Sequence, residues 1–211
     1  MVISFEVLSV ILLNTLISFR GFRDNIFFEK FHFKMNKIKN GDYYRMLTSG
    51  FLHVDNQHLI FNMLTLFFFG DYVLKILGVF WFYFMYMFCL LLGNIFCVLI
   101  HGKNNEYSAV GASGAVTGIL FSSILAYPNL KLALLIFPIP IPGYVFGILY
   151  LGYTFYGLKK QNDGIGHSAH LGGAIAGIIL TIILIPQIII LSFNTLLFLS
   201  LVILLGIMYF K

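Results

Sequence analysis

A serine flanked by glycines, Gly111-Ala112-Ser113-Gly114, stands where a polar stretch gives way to an apolar run, the place at which a loop enters a helix. The first turn of a helix leaves backbone N–H groups without intrahelical partners, so donors lie beside such a serine and can face a developing oxyanion. His170 opens a later apolar run, Ala169-His170-Leu171-Gly172-Gly173, and an imidazole can take and return a proton near neutral pH. His58 and Asn62 are spaced i and i+4, which stacks them on one helix face, and both can donate hydrogen bonds. A nucleophile, a base and oxyanion donors are the parts that acyl transfer needs. Each part also has a plainer use, since small residues pack helices together and a histidine within a bundle hydrogen-bonds a neighbouring helix.

What must position these residues is a set of membrane spans. Of the 211 residues, 60% are hydrophobic and 10% charged, against about 25% charged in a soluble domain. Mean hydropathy is +0.94. These values exclude a disordered chain, and they exclude a nucleic-acid partner despite a pI near 9.2. The excess of 13 basic over 8 acidic residues, +5, belongs to lipid headgroups and topology. The cysteines, Cys89 and Cys97, lie in apolar runs and imply no disulfide framework. Runs of about 20 apolar residues mark spanning helices, and seven are expected: about Val2–Phe19, Gln57–Leu77, Val79–Ile100, Gly111–Tyr127, Gly143–Leu158, Ala169–Pro186 and Ile188–Phe210. The first has no basic region before it and no small-residue cleavage site after it, so it reads as a span rather than a signal peptide. Between the fourth and fifth, Phe137-Pro138-Ile139-Pro140-Ile141-Pro142 cannot form an unbroken helix. Between the first two, residues 20–56 interleave Phe27, Phe28, Phe31 and Phe33 with Glu29, Lys30 and Lys34, the pattern of a segment lying in the membrane interface.

Successive spans alternate direction, so the second, fourth and sixth enter from one side, and His58, Ser113 and His170 all stand at that entry end. Gly114 and Gly118 on the fourth span, and Gly173 and Gly177 on the sixth, form small-residue faces that permit close backbone approach. If those faces meet, Ser113 and His170 come within reach of each other. Ser108, His167 and Ser168 lie near the same face and can line a wet cavity. His167 is a rival base, but it follows the polar Asn162-Asp163-Gly164-Ile165-Gly166, whereas His170 starts the glycine-faced helix. His32, His53 and His101 read as solvated or headgroup-level side chains.

These elements together resemble the rhomboid family of intramembrane serine proteases over nearly the whole chain. The resemblance rests on His58-Leu59-Ile60-Phe61-Asn62, on Gly111-Ala112-Ser113-Gly114, on Ala169-His170-Leu171-Gly172-Gly173-Ala174-Ile175-Ala176-Gly177, and on Tyr44-Arg45 in the first loop. It implies an all-α, rhomboid-like six-helix transmembrane bundle over residues 1–186, with 187–211 as an additional seventh span. It implies a Ser-His dyad, Ser113 as nucleophile and His170 as base, with oxyanion donors from His58, Asn62 and the backbone of Gly111 and Ala112. No cofactor, metal or nucleic acid is implied. The partners are the lipid bilayer and single-span membrane proteins as substrates, and the expected location is a bacterial inner membrane.

Two positions depart from the family pattern. Many members carry a tyrosine four residues after the nucleophile, packed against the base, where this chain has Thr117. Many carry an acidic residue late in the second span, where this chain has Leu74. The family topology also puts Arg20, Arg23, Lys30, Lys34, Lys37, Lys39, Arg45, Lys103, Lys159 and Lys160 outside against Lys75 and Lys131 inside, the reverse of the positive-inside rule. A catalytically inactive rhomboid-like protein that binds or escorts membrane proteins is the alternative, favoured by loss of Ser113 or His170, and both are present. A small transporter would need paired broken helices, and a metalloprotease a His-Glu-xx-His element that the chain lacks.

Overall fold

A computed structural model describes residues 3–132, 139–160 and 165–210. Among these are seven helices of 14 residues or more: α1 Phe5–Arg23, α2 Asn56–Leu77, α3 Val79–His101, α4 Ser113–Ala126, α5 Gly143–Lys160, α6 His167–Leu184 and α7 Phe193–Phe210. By length and hydropathy α1, α2, α3 and α6 can each cross a membrane, and the apolar α4 and α7 stand beside them. The architecture is an all-α, rhomboid-like membrane bundle.

The innermost helix is α4, buried continuously from Gly114 to Leu125 between α2, α3 and α6. Lipid supplies no hydrophobic drive for helix to meet helix, so close van der Waals contact has to bring them together, and small residues provide it. A side-chain carbon at Gly173 would collide with the Gly114 carbonyl, and one at Gly177 with the Gly118 carbonyl. Gly93 of α3 completes the crossing, since a Cβ there would lie 2.9 Å from the Ala169 carbonyl oxygen and 3.3 Å from Gly114 Cα. The two small-residue faces read from the sequence therefore do meet. Cys89 and Cys97 are both buried and unpaired with one another.

The first loop is more internal than its aromatic pattern suggests. Phe33 is fully buried, because Phe33–Lys34 pairs antiparallel with Ser108–Ala109 and turns that ring inward beside Met35, Ile38 and Cys97. Ile26, Tyr43, Tyr44, Leu47 and Val54 are exposed apolar side chains of the loop. Arg45, 6% exposed, holds it together. Its Nη1 donates to the carbonyls of Glu29 (2.9 Å) and His32 (3.0 Å), and its Nε to Asp42 Oδ2 (3.1 Å). A buried guanidinium needs such partners to offset its lost hydration. His32 is buried, not solvated.

The remaining boundaries show what local chemistry does to apolar runs. The last span begins later than expected: after a turn of helix at Ile188–Leu191, Ser192 interrupts, its Oγ donating to the Leu125 carbonyl at 2.6 Å. Of the proline-punctuated stretch, Phe137 and Pro138 lie outside the described residues, while Ile141–Pro142 pairs with Lys131–Leu132 in a short antiparallel ribbon. Asn162 to Gly164 lie outside them too. Three residues before Leu74, buried Asp71 accepts from Ser4 Oγ at 2.5 Å and ties α2 to the start of α1.

The crossing predicts a contrast between glycines. Gly173→Val, which forces a branched side chain onto backbone, should cost about 1–3 kcal/mol or more, the overpacking range. Gly152→Ala, with nothing within 4 Å, should leave thermal stability in detergent unchanged. Equal melting temperatures for the two variants would show that the close approach is not needed.

Candidate active site

Ser113 is the first residue of α4, and Ala112 before it makes no side-chain cap. The N–H groups of that first turn therefore have no carbonyl one turn back in the helix. His170 lies one turn into α6, its N–H donating to the Gly166 carbonyl at 3.1 Å. The glycine crossing brings the two helix starts together, for Gly114 next to Ser113 abuts the carbonyl of Ala169 next to His170, at 3.3 Å from an added Cβ. Ser113, His170, His58 and Asn62 all line one cavity of about 1060 Å³. Its walls come from α2 (Phe61, Thr65, Phe69) and α5 (Phe146, Tyr150), and its polar mouth includes Asp55, His101 and Ser108.

The N–H groups of Gly111 and Ala112 face the first loop. The Gly111 N–H donates to the Ser49 carbonyl at 3.0 Å, and the Ala112 N–H points to His53 Nε2 at 3.5 Å. Both tie the serine loop to the first loop, while the N–H groups of Ser113, Gly114 and Ala115 in the first turn of α4 have no carbonyl in their own helix. Gly111 has another requirement. Its φ is +120°, and a Cβ would lie 2.6 Å from His58 Nε2, so only glycine lets the His58 ring sit there.

Asn62 is buried, 7% exposed, and its Nδ2 has no hydrogen-bond partner. That nitrogen lies 3.7 Å from the Cβ position of Gly111, on the cavity side of the serine loop. A buried donor without a partner costs on the order of 1–3 kcal/mol, so this amide is not an interhelical bond of the ordinary stabilising kind.

Comparisons with known proteins give the family. A Rhomboid domain profile matches residues 40–187, more than half of the chain. The chain belongs to the rhomboid family. It is 30% identical over 173 residues to "RHOMBOID-like protein 12, mitochondrial" of Arabidopsis thaliana, covering 75% of this chain and 51% of that protein. It is 30% identical over 138 residues to "Rhomboid protein 1, mitochondrial" of Saccharomyces cerevisiae, covering 64% and 40%. It is 32% identical over 141 residues to "Rhomboid protease GluP" of Bacillus subtilis, covering 66% and 26%. The matched region thus spans about half or less of these relatives. The family includes serine proteases, and this rhomboid is a multi-pass membrane protein.

Two residues of this rhomboid's site were not legible from spacing. His53, expected in solvent, is fully buried: its Nδ1 pairs with Ser18 Oγ at 2.8 Å, and its ring meets that of His58 edge to face at 4.9 Å. It reaches the site across the turn that caps α2, where helical spacing does not apply. Tyr150 stands on α5 with its ring 5.7 Å from that of His170. His167, rather than ending a polar loop, opens α6; it is buried, its ring seated on Gly157 and 6.0 Å from that of His170. Behind it, Tyr107 OH and Ser168 Oγ pair at 3.2 Å beside Cys97, and burial pushes the Tyr107 phenol well above its ordinary range.

Burial, with the neighbouring His58 next, lowers the His53 pKa from 6.5 to about 3, while Asp55 opposes the shift. The unfolded chain therefore takes up a proton near pH 6.5 that the folded chain refuses until about pH 3, and stability falls as pH drops through that window. Between pH 7 and pH 5 this amounts to about 2 kcal/mol for the one group. His53→Gln should remove that part of the pH dependence. Equal pH dependence of unfolding in the two proteins would refute the buried neutral state.

Proposed function

We propose that this rhomboid is an intramembrane serine endopeptidase that cleaves the spanning segments of single-span membrane proteins. The observation that carries this reading is the convergence of Ser113, His170, His58 and the unpartnered Asn62 amide on one cavity. In this mechanism His170 takes the Ser113 proton as Oγ attacks the scissile carbonyl, then returns it to the leaving amine. The tetrahedral oxyanion forms where the Ser113 N–H, the Asn62 amide and the His58 ring can donate to it. Water for deacylation enters through the polar mouth beside Asp55, His101 and Ser108. His170 then acts again as base. The cavity between α2 and α5 accepts an extended peptide, and a spanning helix hides its carbonyls in its own hydrogen bonds. Substrates are therefore single spans weakened by Gly, Pro or polar residues near the cut.

A bacterial inner membrane is part of the proposal; the Bacillus relative is a bacterial protein, and the Arabidopsis and yeast relatives are named as mitochondrial. Membrane fractionation of the host cell tests it.

A fluorophosphonate probe tests the activity without knowledge of the substrate. Ser113→Ala and His170→Ala should each abolish labelling and cleavage of a single-span reporter, and the double variant should be no worse, since the pair acts as a unit. Reporter cleavage at the wild-type rate by Ser113→Ala would end the protease reading. Asn62→Ala should lower kcat by an order of 10²–10³ at most, with no fall in melting temperature because no bond is lost. A large fall in stability with kcat retained would remove Asn62 from the site.

A further inference from the structure

An imidazole that serves as a base has a free torsion at χ2, so something must hold its ring plane for the proton to pass between fixed atoms. His170 and Tyr150 line the same cavity. The Tyr150 ring packs beside the imidazole, its centroid 5.7 Å from that of His170 with the planes inclined by 31°, while the His167 ring stands 6.0 Å away. Tyr150 is itself held in place. Its hydroxyl pairs with Thr117 Oγ1 at 2.9 Å, Phe121 meets it edge to face at 5.9 Å, and Phe146 stacks on it at 6.1 Å. Thr117 is 3% exposed and lies one turn along α4 from Ser113, so the hydroxyl pair ties the tyrosine to the helix that carries the serine.

We propose that Tyr150 is the positioning residue for His170: its ring walls the imidazole in, with the hydroxyl pair to Thr117 a minor additional tie. The proposal rests on the dyad reading above. It assigns α5, which supplies neither Ser113 nor His170, the task of orienting the base. A mispositioned reacting group of this kind costs rate rather than binding, since substrate contacts elsewhere in the cavity are untouched.

The test uses the full chain in detergent, a fluorophosphonate probe, and a single-span reporter whose helix carries a Gly-Pro pair. Tyr150→Leu should lower the labelling rate at Ser113 and the reporter kcat together by about 10- to 100-fold, with KM within about twofold. Tyr150→Phe keeps the ring and should stay within about threefold of wild type in labelling. Thr117→Val should match Tyr150→Phe, and the double variant should be no worse than either, because both remove the same hydroxyl pair. A folded Tyr150→Leu protein that labels at the wild-type rate overturns the proposal, as does a Tyr150→Phe protein as slow as Tyr150→Leu. If leucine does not fold, Tyr150→Met refills the space with a flexible chain and carries the same expectation; if neither folds, Tyr150 is a structural residue and the proposal falls. Wild-type protein that does not label at Ser113 overturns the protease reading and this one together, whereas labelling that is indifferent to Tyr150 overturns this one alone.

Discussion

The backbone of α4 lies against that of α6 at two successive turns, Gly114 on Gly173 and Gly118 on Gly177. No other pair of residue types allows two helices so close, and in a bilayer the approach itself supplies the packing that holds them. Ser113 precedes the first of these contacts by one residue, and His170 stands three residues before its partner, on the same helix face. The register of the crossing therefore sets the relation of Ser113 to His170. Gly93 of α3 enters the same contact, so three helices share one small-residue seam.

Around that seam the first loop acts as a scaffold for the serine loop. Ser49 receives the Gly111 N–H, His53 faces the Ala112 N–H, and Arg45 holds the loop in shape by binding its carbonyls. Backbone N–H groups just before Ser113 thus hold the loop, while those of the first turn of α4 are left without a helical carbonyl. Gly111 at φ +120° is the point where the chain turns sharply enough to do both, and His58 occupies the space that a side chain there would take. The Asn62 amide beside it is buried with its nitrogen unpartnered, a cost on the order of 1–3 kcal/mol.

The seventh helix gives α5 a second neighbour. Leu199 lies 3.0 Å from the Cβ position of Gly147, Gly206 seats Phe155, and Lys159 stands over the Tyr209 ring at 3.8 Å. With α7 on its outer side, α5 is held between that helix and the α4–α6 pair, and the tyrosine it carries keeps its place at the cavity wall. Lys159 and Arg45 also show that part of the basic excess on this side is engaged by protein groups.

By itself the sequence determined the number of long helices, their approximate limits, the small-residue faces of α4 and α6, and the identity of Ser113, His170, His58 and Asn62 as candidates. All of these are carried by local pattern: an apolar run of spanning length, an i, i+4 repeat, a polar residue where none is cheap. Tertiary structure alone decided that Phe33 and His53 are internal, that Gly111 and Ala112 turn their N–H groups to the first loop, that Asp71 ties α2 to α1, and that Tyr150 meets His170. Each of these depends on a partner distant in the chain, Phe33 on Ala109, Gly111 on Ser49, Asp71 on Ser4, Tyr150 on Thr117. Periodicity records which face of a helix is apolar, but not which residue of another helix that face will touch.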